Sequence, residues 1–441
     1  VTIFNNKKSE NNTINYYPVK MGIFSVTFNL LIIQEDKKIE ILQNDILNEK
    51  IVLRDYLIGN EYDLKLLDKL SNLNKLSVFF SNDKRYDSFE GLKRISNKEL
   101  KTYLKINDIE FNSLNKREKV KKHEEFAKEK YLNDTKTDYY DTPYIYQPEN
   151  KIKAFSILGV DGYINKKDVN KQNFQRPRNS FIYEGGNIIF NRFGKRIEAS
   201  FVSSNLFFSN LIYGIKLQNE NYYHLFTAIL NSDLVNFYLS LKYRKRIDDN
   251  FANLDTKAIK NIPIPKNFDE ILILEISEIS QQLTEGKLKY EDKIKEKLNE
   301  LIYDLYDLGY LERQRIKDFF ANKKTIKEID LSEYKEALTE TIELHFENKP
   351  EIESCQGINL PFGLVVTAIY FNKAKSTQPT SKKKLQYAIN EILKTSGEKF
   401  LAMSEKVYGK DCIYIIKNNS FQNWTTTKAF EDGQEILKSI R

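Results

Sequence analysis

Between residues 166 and 196 the sequence gathers side chains suited to holding a polyanion. Eight are basic: Lys166, Lys167, Lys171, Arg176, Arg178, Arg192, Lys195 and Arg196. Against them stand only Asp168 and Glu184, a balance of +6; the 441-residue chain nets +7, so the rest carries about +1. Phe174, Phe181, Tyr183, Phe190 and Phe193 interleave with the cations. Clustered Lys and Arg are the electrostatic footprint of a surface that grips a phosphate backbone, whereas an ordinary charge run is a solvated face. Here Arg176-Pro177-Arg178 and Arg192-x-x-Lys195-Arg196 lie beside Gly185, Gly186 and Gly194, a pattern of loops presenting charge between strands, which favours a binding surface. Asn173, Gln175, Arg176, Arg178 and Asn179 carry the paired donors and acceptors that read base edges. A second basic cluster, Lys242, Arg244, Lys245 and Arg246, follows a segment of helical apolar spacing, where positive charge also complements the helix C-terminal dipole.

No candidate catalytic residue and no metal site emerges beside this patch. Cys355 and Cys412, and His123, His224 and His345, lie too far apart for a zinc site or a disulfide framework. Glu35-Asp36-Lys37 and Glu291-Asp292-Lys293 have the local spacing of a metal-dependent nuclease but no acidic partner on a preceding strand. With 30% charged residues such triplets arise by chance. His224 reads as a core or interface histidine, and Trp424 as packing for the last domain. No apolar run is long enough to span a bilayer and no signal peptide is present, so the expectation is a soluble, cytoplasmic protein without membrane partners. The chain opens at Val1 on strand-like "VTIF" and reads as the continuation of something longer.

The elements that must position the patch follow from periodicity. Strands are expected at "INYYPVK", "SVTFNLLII" and "KIEILQ", a helix over 61–73, and a highly charged helix or linker over 115–132 that puts a soft boundary near 135. Residues 142–216 read as strand-rich, with alternation in "NIIFNRF" and "RIEASFV", "EGGN" as a hairpin turn, and "DTPY" at Asp141 as loop. Residues 221–241 switch to helical spacing, 268–320 read as two helices, and a last block carries helices near 331–346, 381–396 and the C-terminus with strands "GLVVTAIYF" and "DCIYIIK". "AIKNIPIPK", 258–266, is an extended apolar strap, neither helix nor ladder, because Pro263 and Pro265 have no N–H to give a central strand. Fold class is α+β.

The succession of these elements resembles the TaqI-like C-terminal specificity domain of adenine-specific DNA methyltransferases. Ile188, Ile189 and Phe190 match its first strand, "GKRIEASF" (Gly194 to Phe201) its hairpin, "AILNSDLVNFYL" (Ala228 to Leu239) its helix, and "IKNIPIP" (Ile259 to Pro265) its strap. The likeness covers roughly 140–310. "IYIIKNNSFQNWTTTKAFEDGQEI" is similar, more loosely, to a terminus that some of these methylases carry.

The resemblance implies a DNA target-recognition module over 136–268, a connector over 1–135 that continues a missing methyltransferase domain, a helical segment over 269–330 and an α+β domain over 331–441. It also implies double-stranded DNA as ligand, with Lys166 to Arg196 and Lys242 to Arg246 as its grip and the strap fastening the basic helix end to the strand-rich core. The amino-methyltransferase motif Asp/Asn-Pro-Pro-Tyr/Phe is missing, since no Pro-Pro dipeptide occurs, and no Gly-x-Gly cradle follows a strand. S-adenosylmethionine is therefore expected in a missing catalytic domain or partner subunit, not in this chain. Two other readings remain: a separate specificity subunit of a catalytic methyltransferase, or a non-enzymatic scaffold whose basic loops meet an acidic protein.

Overall fold

A computed structural model of the chain describes residues 12–17, 38–48, 61–194 apart from 82, 84, 94 and 96, 196–243, 254–321, 330–345 apart from 344, 350–356, 364–370, 404–408, 412–418 and 421–440. The expected strand "SVTFNLLII" and the expected helix over 381–396 lie outside the described residues, as do Lys195, Arg244, Lys245 and Arg246. Two compact units form, Lys65–Leu308 and a second that joins Val1–Leu64 to Gly309–Arg441. The chain is α+β, with helices beside several small sheets.

The larger unit is built on a four-stranded antiparallel sheet of β1 (Ser88–Glu90), β2 (Asn187–Asn191), β3 (Ala199–Val202) and β4 (Ile212–Ile215), in the order β3-β2-β4-β1. Phe190 stands opposite Ala199 on one side and Tyr213 on the other, and Tyr213 opposite Glu90. Ile188, Ile189, Phe190, Ile212, Tyr213 and Ile215 are buried, so β2 and β4 are core on both faces. A smaller sheet sets Thr142–Ile145 between Phe207–Phe208 and Gly162–Ile164. "DTPY" is thus strand rather than loop: Tyr144 and Ile145 are buried among Ile164, Phe207 and Phe208, and that burial overrides the turn signal of Pro143.

The helical stretch after β4 is two helices, α1 (Tyr223–Asn231) and α2 (Asp233–Lys242). The break is chemical: Ser232 is extended, its Oγ accepts from the Val235 N–H and donates to the Ile229 carbonyl, so it caps the second helix. It leaves two buried amides aimed at the sheet edge. Asn231 donates to the Ala199 carbonyl and accepts from its N–H, both at 2.8 Å, and Asn236 accepts from the Ile197 N–H at 2.6 Å. The side-chain amides stand where the next strand would, which closes β3.

"EGGN" is not a hairpin turn but the entry to β2. A Cβ on Gly185 would fall 1.9 Å from the Ser203 carbonyl oxygen, and Gly186 has φ +79. Buried Lys216 holds this entry, donating to the carbonyls of Phe181, Glu184 and Gly185 at 3.2, 3.0 and 2.9 Å. The strap also differs from expectation. Pro263–Ile264 forms a two-residue ladder with Asn74–Lys75, and the Ile262 carbonyl accepts from the Leu76 N–H. A short edge pair tolerates a proline because the partner supplies the donors. The strap is fastened to residues 74–76 and, through the Pro263 carbonyl, to Tyr306; Lys260 pairs with Asp87. Residues 268–320 make three helices, not two, the first closed by Gly286 at φ +71.

In the other unit the strands Glu351–Gln356, Leu364–Tyr370, Cys412–Asn418 and Ser404–Tyr408 form one antiparallel sheet. Ser332–Glu343 and Thr426–Ile440 pack together and share its core. Trp424 packs edge-on to Tyr334 there, with Lys417 over both rings and paired to Asp432, which also takes the Tyr334 hydroxyl at 2.6 Å. The Lys, Trp and helix order of this terminus is a buried polar cluster.

Asn231→Ala would strand the N–H of Ala199, while its carbonyl keeps the Phe155 N–H at 2.8 Å. One unsatisfied buried group costs about 1–3 kcal/mol, and a loss of that size is expected. Thermal unfolding should show a clear fall in Tm, whereas the same change at exposed Asn221 should show almost none.

Candidate nucleic-acid interface

The basic stretch divides in the structure into cations that hold the fold together and cations that face solvent. Glu90, on β1, accepts Arg192 at 2.9 Å and Arg178 at 3.4 Å, which brings together two arginines fourteen positions apart. Arg192 also lies 5.6 Å from the Tyr213 ring centre. Arg196 is ion-paired to Asp233 at the start of α2, where Lys295 approaches at 3.6 Å and the Asp233 N–H donates to Asn299. Lys166 pairs with Glu184 at 2.9 Å. The +6 balance of the linear stretch is therefore lowered by Glu90 and Asp233, both from outside it.

Arg196 does not stand free on a charge-presenting loop: it is half-buried and bound to a carboxylate that is 10% exposed, because Ser232 turns Asp233 back onto the hairpin. Lys167, Lys171 and Arg176 are exposed, and no hydrogen bond or ion pair of their side chains occurs among the described residues. Lys242 is half-buried in the last turn of α2.

The base-reading candidates are mostly engaged within the chain. Asn173 donates to the Asp168 carbonyl at 2.8 Å, and Gln175 to the Ile95 carbonyl and to Asn97, both at 3.3 Å. Asn179 caps the turn that follows it by accepting from the Phe181 N–H at 3.1 Å, and Arg178 is held by Glu90 with φ +62. Arg176, whose carbonyl accepts the Lys93 N–H while its side chain stays exposed, is the open one.

Three residues that shape this face escaped sequence reading. Glu90 lies 88 positions from Arg178, beyond any local pattern. Asp233 sits inside a helical motif that reads as core. Lys216, buried and pushed below its ordinary pKa by burial, directly follows the apolar strand β4 with nothing to mark it as an anchor. His224 is half-buried against the Phe201 ring, and burial likewise lowers its pKa. Among the described residues no group of three or more His, Cys, Asp or Glu could hold a metal ion, and no helix is long and apolar enough to cross a membrane.

With this geometry in place, residues 144–264 match the family described as the TaqI-like C-terminal specificity domain. The segment runs from within the strand Thr142–Ile145 into the strap, so it holds the expected strand, hairpin and helix and the strap as far as Ile264. No curated protein sequence matches the chain. Among solved structures it is similar to the type IIG restriction endonuclease BpuSI, at 13% identity over 63% of this chain and 37% of that one, TM-score 0.32. It is also similar to the type IIL restriction-modification enzyme MmeI in complex with DNA, at 12% identity over 56% of this chain and 37% of that one, TM-score 0.27. The chain thus spans well under half the length of either.

Arg196→Ala should lower Tm, because it removes the nearer partner of a largely buried carboxylate; with Lys295 still near, a cost of about 1–3 kcal/mol is expected. Lys167→Ala should leave Tm within the error of the measurement. Equal melting of the two variants would overturn the division into framework and solvent-facing cations.

Proposed function

We propose that this chain is the DNA target-recognition portion of an adenine-specific DNA methyltransferase from a restriction–modification or phage-defence system, and that it does not itself transfer methyl groups. The observation that carries this reading is the specificity-domain match over 144–264, with exposed basic residues in the same segment. Lys167, Lys171 and Arg176 would take phosphates, and Arg176 is the first choice for a base contact, since a guanidinium pairs with guanine O6 and N7 in the major groove. Arg178, Arg192 and Arg196 would act by positioning: their carboxylate partners hold the loops that carry the free cations. The partner is then double-stranded DNA together with a catalytic methyltransferase domain or subunit.

S-adenosylmethionine belongs to that catalytic part. The one pair of adjacent glycines in the chain, Gly185-Gly186, is packed against the Ser203 carbonyl and the Tyr223 ring, which leaves no cradle for a cofactor there. The residues at this turn do not fit the cofactor, and no methyl-transfer step is assigned to them.

The chain should bind a mixed-sequence duplex with a log–log salt slope of roughly −3 to −4.5, as expected for about three to five phosphate contacts. A slope near zero, or binding to an acidic polypeptide in place of the duplex, would favour the scaffold reading. Arg176→Ala should flatten the slope by about one unit and, at a cognate site, cost about 1–3 kcal/mol of discrimination. Titration calorimetry with S-adenosylmethionine should show no heat of binding; a saturable isotherm would mean that the chain carries a cofactor site of its own.

A further inference from the structure

Beside the basic turn at 166–168 stands an aromatic pair that the matched segment does not include. Tyr139 lies five positions before residue 144 and is 52% exposed, high for so large a ring. It is nonetheless fixed. Its hydroxyl donates to the Asp168 carboxylate, 3.2 and 3.3 Å from the two oxygens, and its carbonyl accepts Asn165 Nδ2 at 2.7 Å. Tyr140 packs edge-on to it at 4.9 Å and is braced by Thr137, whose Oγ1 accepts the Tyr140 N–H and whose N–H donates to the Tyr140 carbonyl, both at 3.0 Å. Asp168 is the hub, since its carbonyl also accepts Asn173 Nδ2. The turn that displays Lys166 and Lys167 therefore displays Tyr139 in a set position.

A pinned, exposed ring has little to contribute to stability, because a buried one would bring more. It does suit contact with a flat or grooved partner, since its ordering has already taken place in the free protein. The charge of its own loop says what kind of contact. Asp134, Asp138 and Asp141 oppose Lys136, all four exposed, for a local balance of −2. Such a loop does not itself take phosphates, so a Tyr139 contact beside Lys167 is non-ionic and reaches sugars or groove edges while the lysine takes the backbone.

We propose that the 133–141 loop is part of the DNA surface and that Tyr139 supplies it with a non-ionic ring contact, a contact beyond the matched domain. This rests on the DNA-recognition reading. The test uses the full chain with a mixed-sequence duplex of about 30 base pairs, titrated across salt, for the parent, Tyr139→Ala, Tyr139→Phe and Lys167→Ala. Tyr139→Ala should bind roughly tenfold more weakly at every salt concentration with an unchanged slope, as loss of a single non-ionic contact worth about 1.4 kcal/mol would give. Tyr139→Phe should stay close to the parent, and Lys167→Ala should flatten the slope by about one unit. If Tyr139→Ala binds like the parent while Lys167→Ala flattens the slope, this inference is overturned and the broader reading stands. If Tyr139→Phe is as weak as Tyr139→Ala, the Asp168 anchor matters and the ring contact is refuted. If the parent itself fails to bind the duplex at low salt, the DNA-recognition reading falls first.

Discussion

The structure of the larger unit depends on the closure of one sheet edge by two asparagine amides. Asn231 and Asn236 accept the N–H groups of Ala199 and Ile197, which would otherwise face the helices as unpaired donors. A free edge carrying those groups would be costly if buried and prone to pairing with other chains if exposed. The amides reach the strand only because Ser232 breaks the helix between them. The break in turn places Asp233 within reach of Arg196 and Lys295. One local choice, a serine cap inside an apolar helix, thus sets the sheet edge, the helix pair and the anchor of the basic hairpin.

Charge in this unit is organised by the same logic of distant partners. Glu90 lies on β1 and neutralises two arginines that the sequence places in separate clusters. Lys216 serves the opposite purpose: a buried cation collects three carbonyls at the entry to β2 and fixes the chain that leads from the exposed loops into the core. The exposed Lys167, Lys171 and Arg176 are then carried on a framework that is already electrostatically satisfied. Exposed cations on such a support lose little side-chain or loop freedom beyond their own on binding, which favours recognition by a preformed face.

Much of this was legible in the sequence where the signal is local. Alternation in "NIIFNRF" and "RIEASFV" located β2 and β3, and the order of strand, hairpin, helix and strap pointed to the domain that the match over 144–264 bears out. What was not legible is what depends on partners far along the chain. The strap reads as unpaired because its partner, Asn74–Lys75, is nearly two hundred residues away. Arg196 reads as a free surface cation because Asp233 hides in a helical pattern. The helix over 221–241 reads as continuous because serine is a weak breaker by composition and a strong one only when its hydroxyl finds both Val235 and Ile229.

The central claim is that the face carrying Lys167, Lys171 and Arg176 meets the duplex. Amine acetylation footprinting, read by mass spectrometry with and without bound duplex, tests it most directly. Lys121, with a side chain 77% exposed on the helix Lys116–Tyr131, outside the basic stretch in sequence, serves as the internal control. The account predicts that a saturating duplex slows modification of Lys167 and Lys171 several-fold and leaves Lys121 unchanged. Equal modification of all three lysines in the free and bound protein would contradict it.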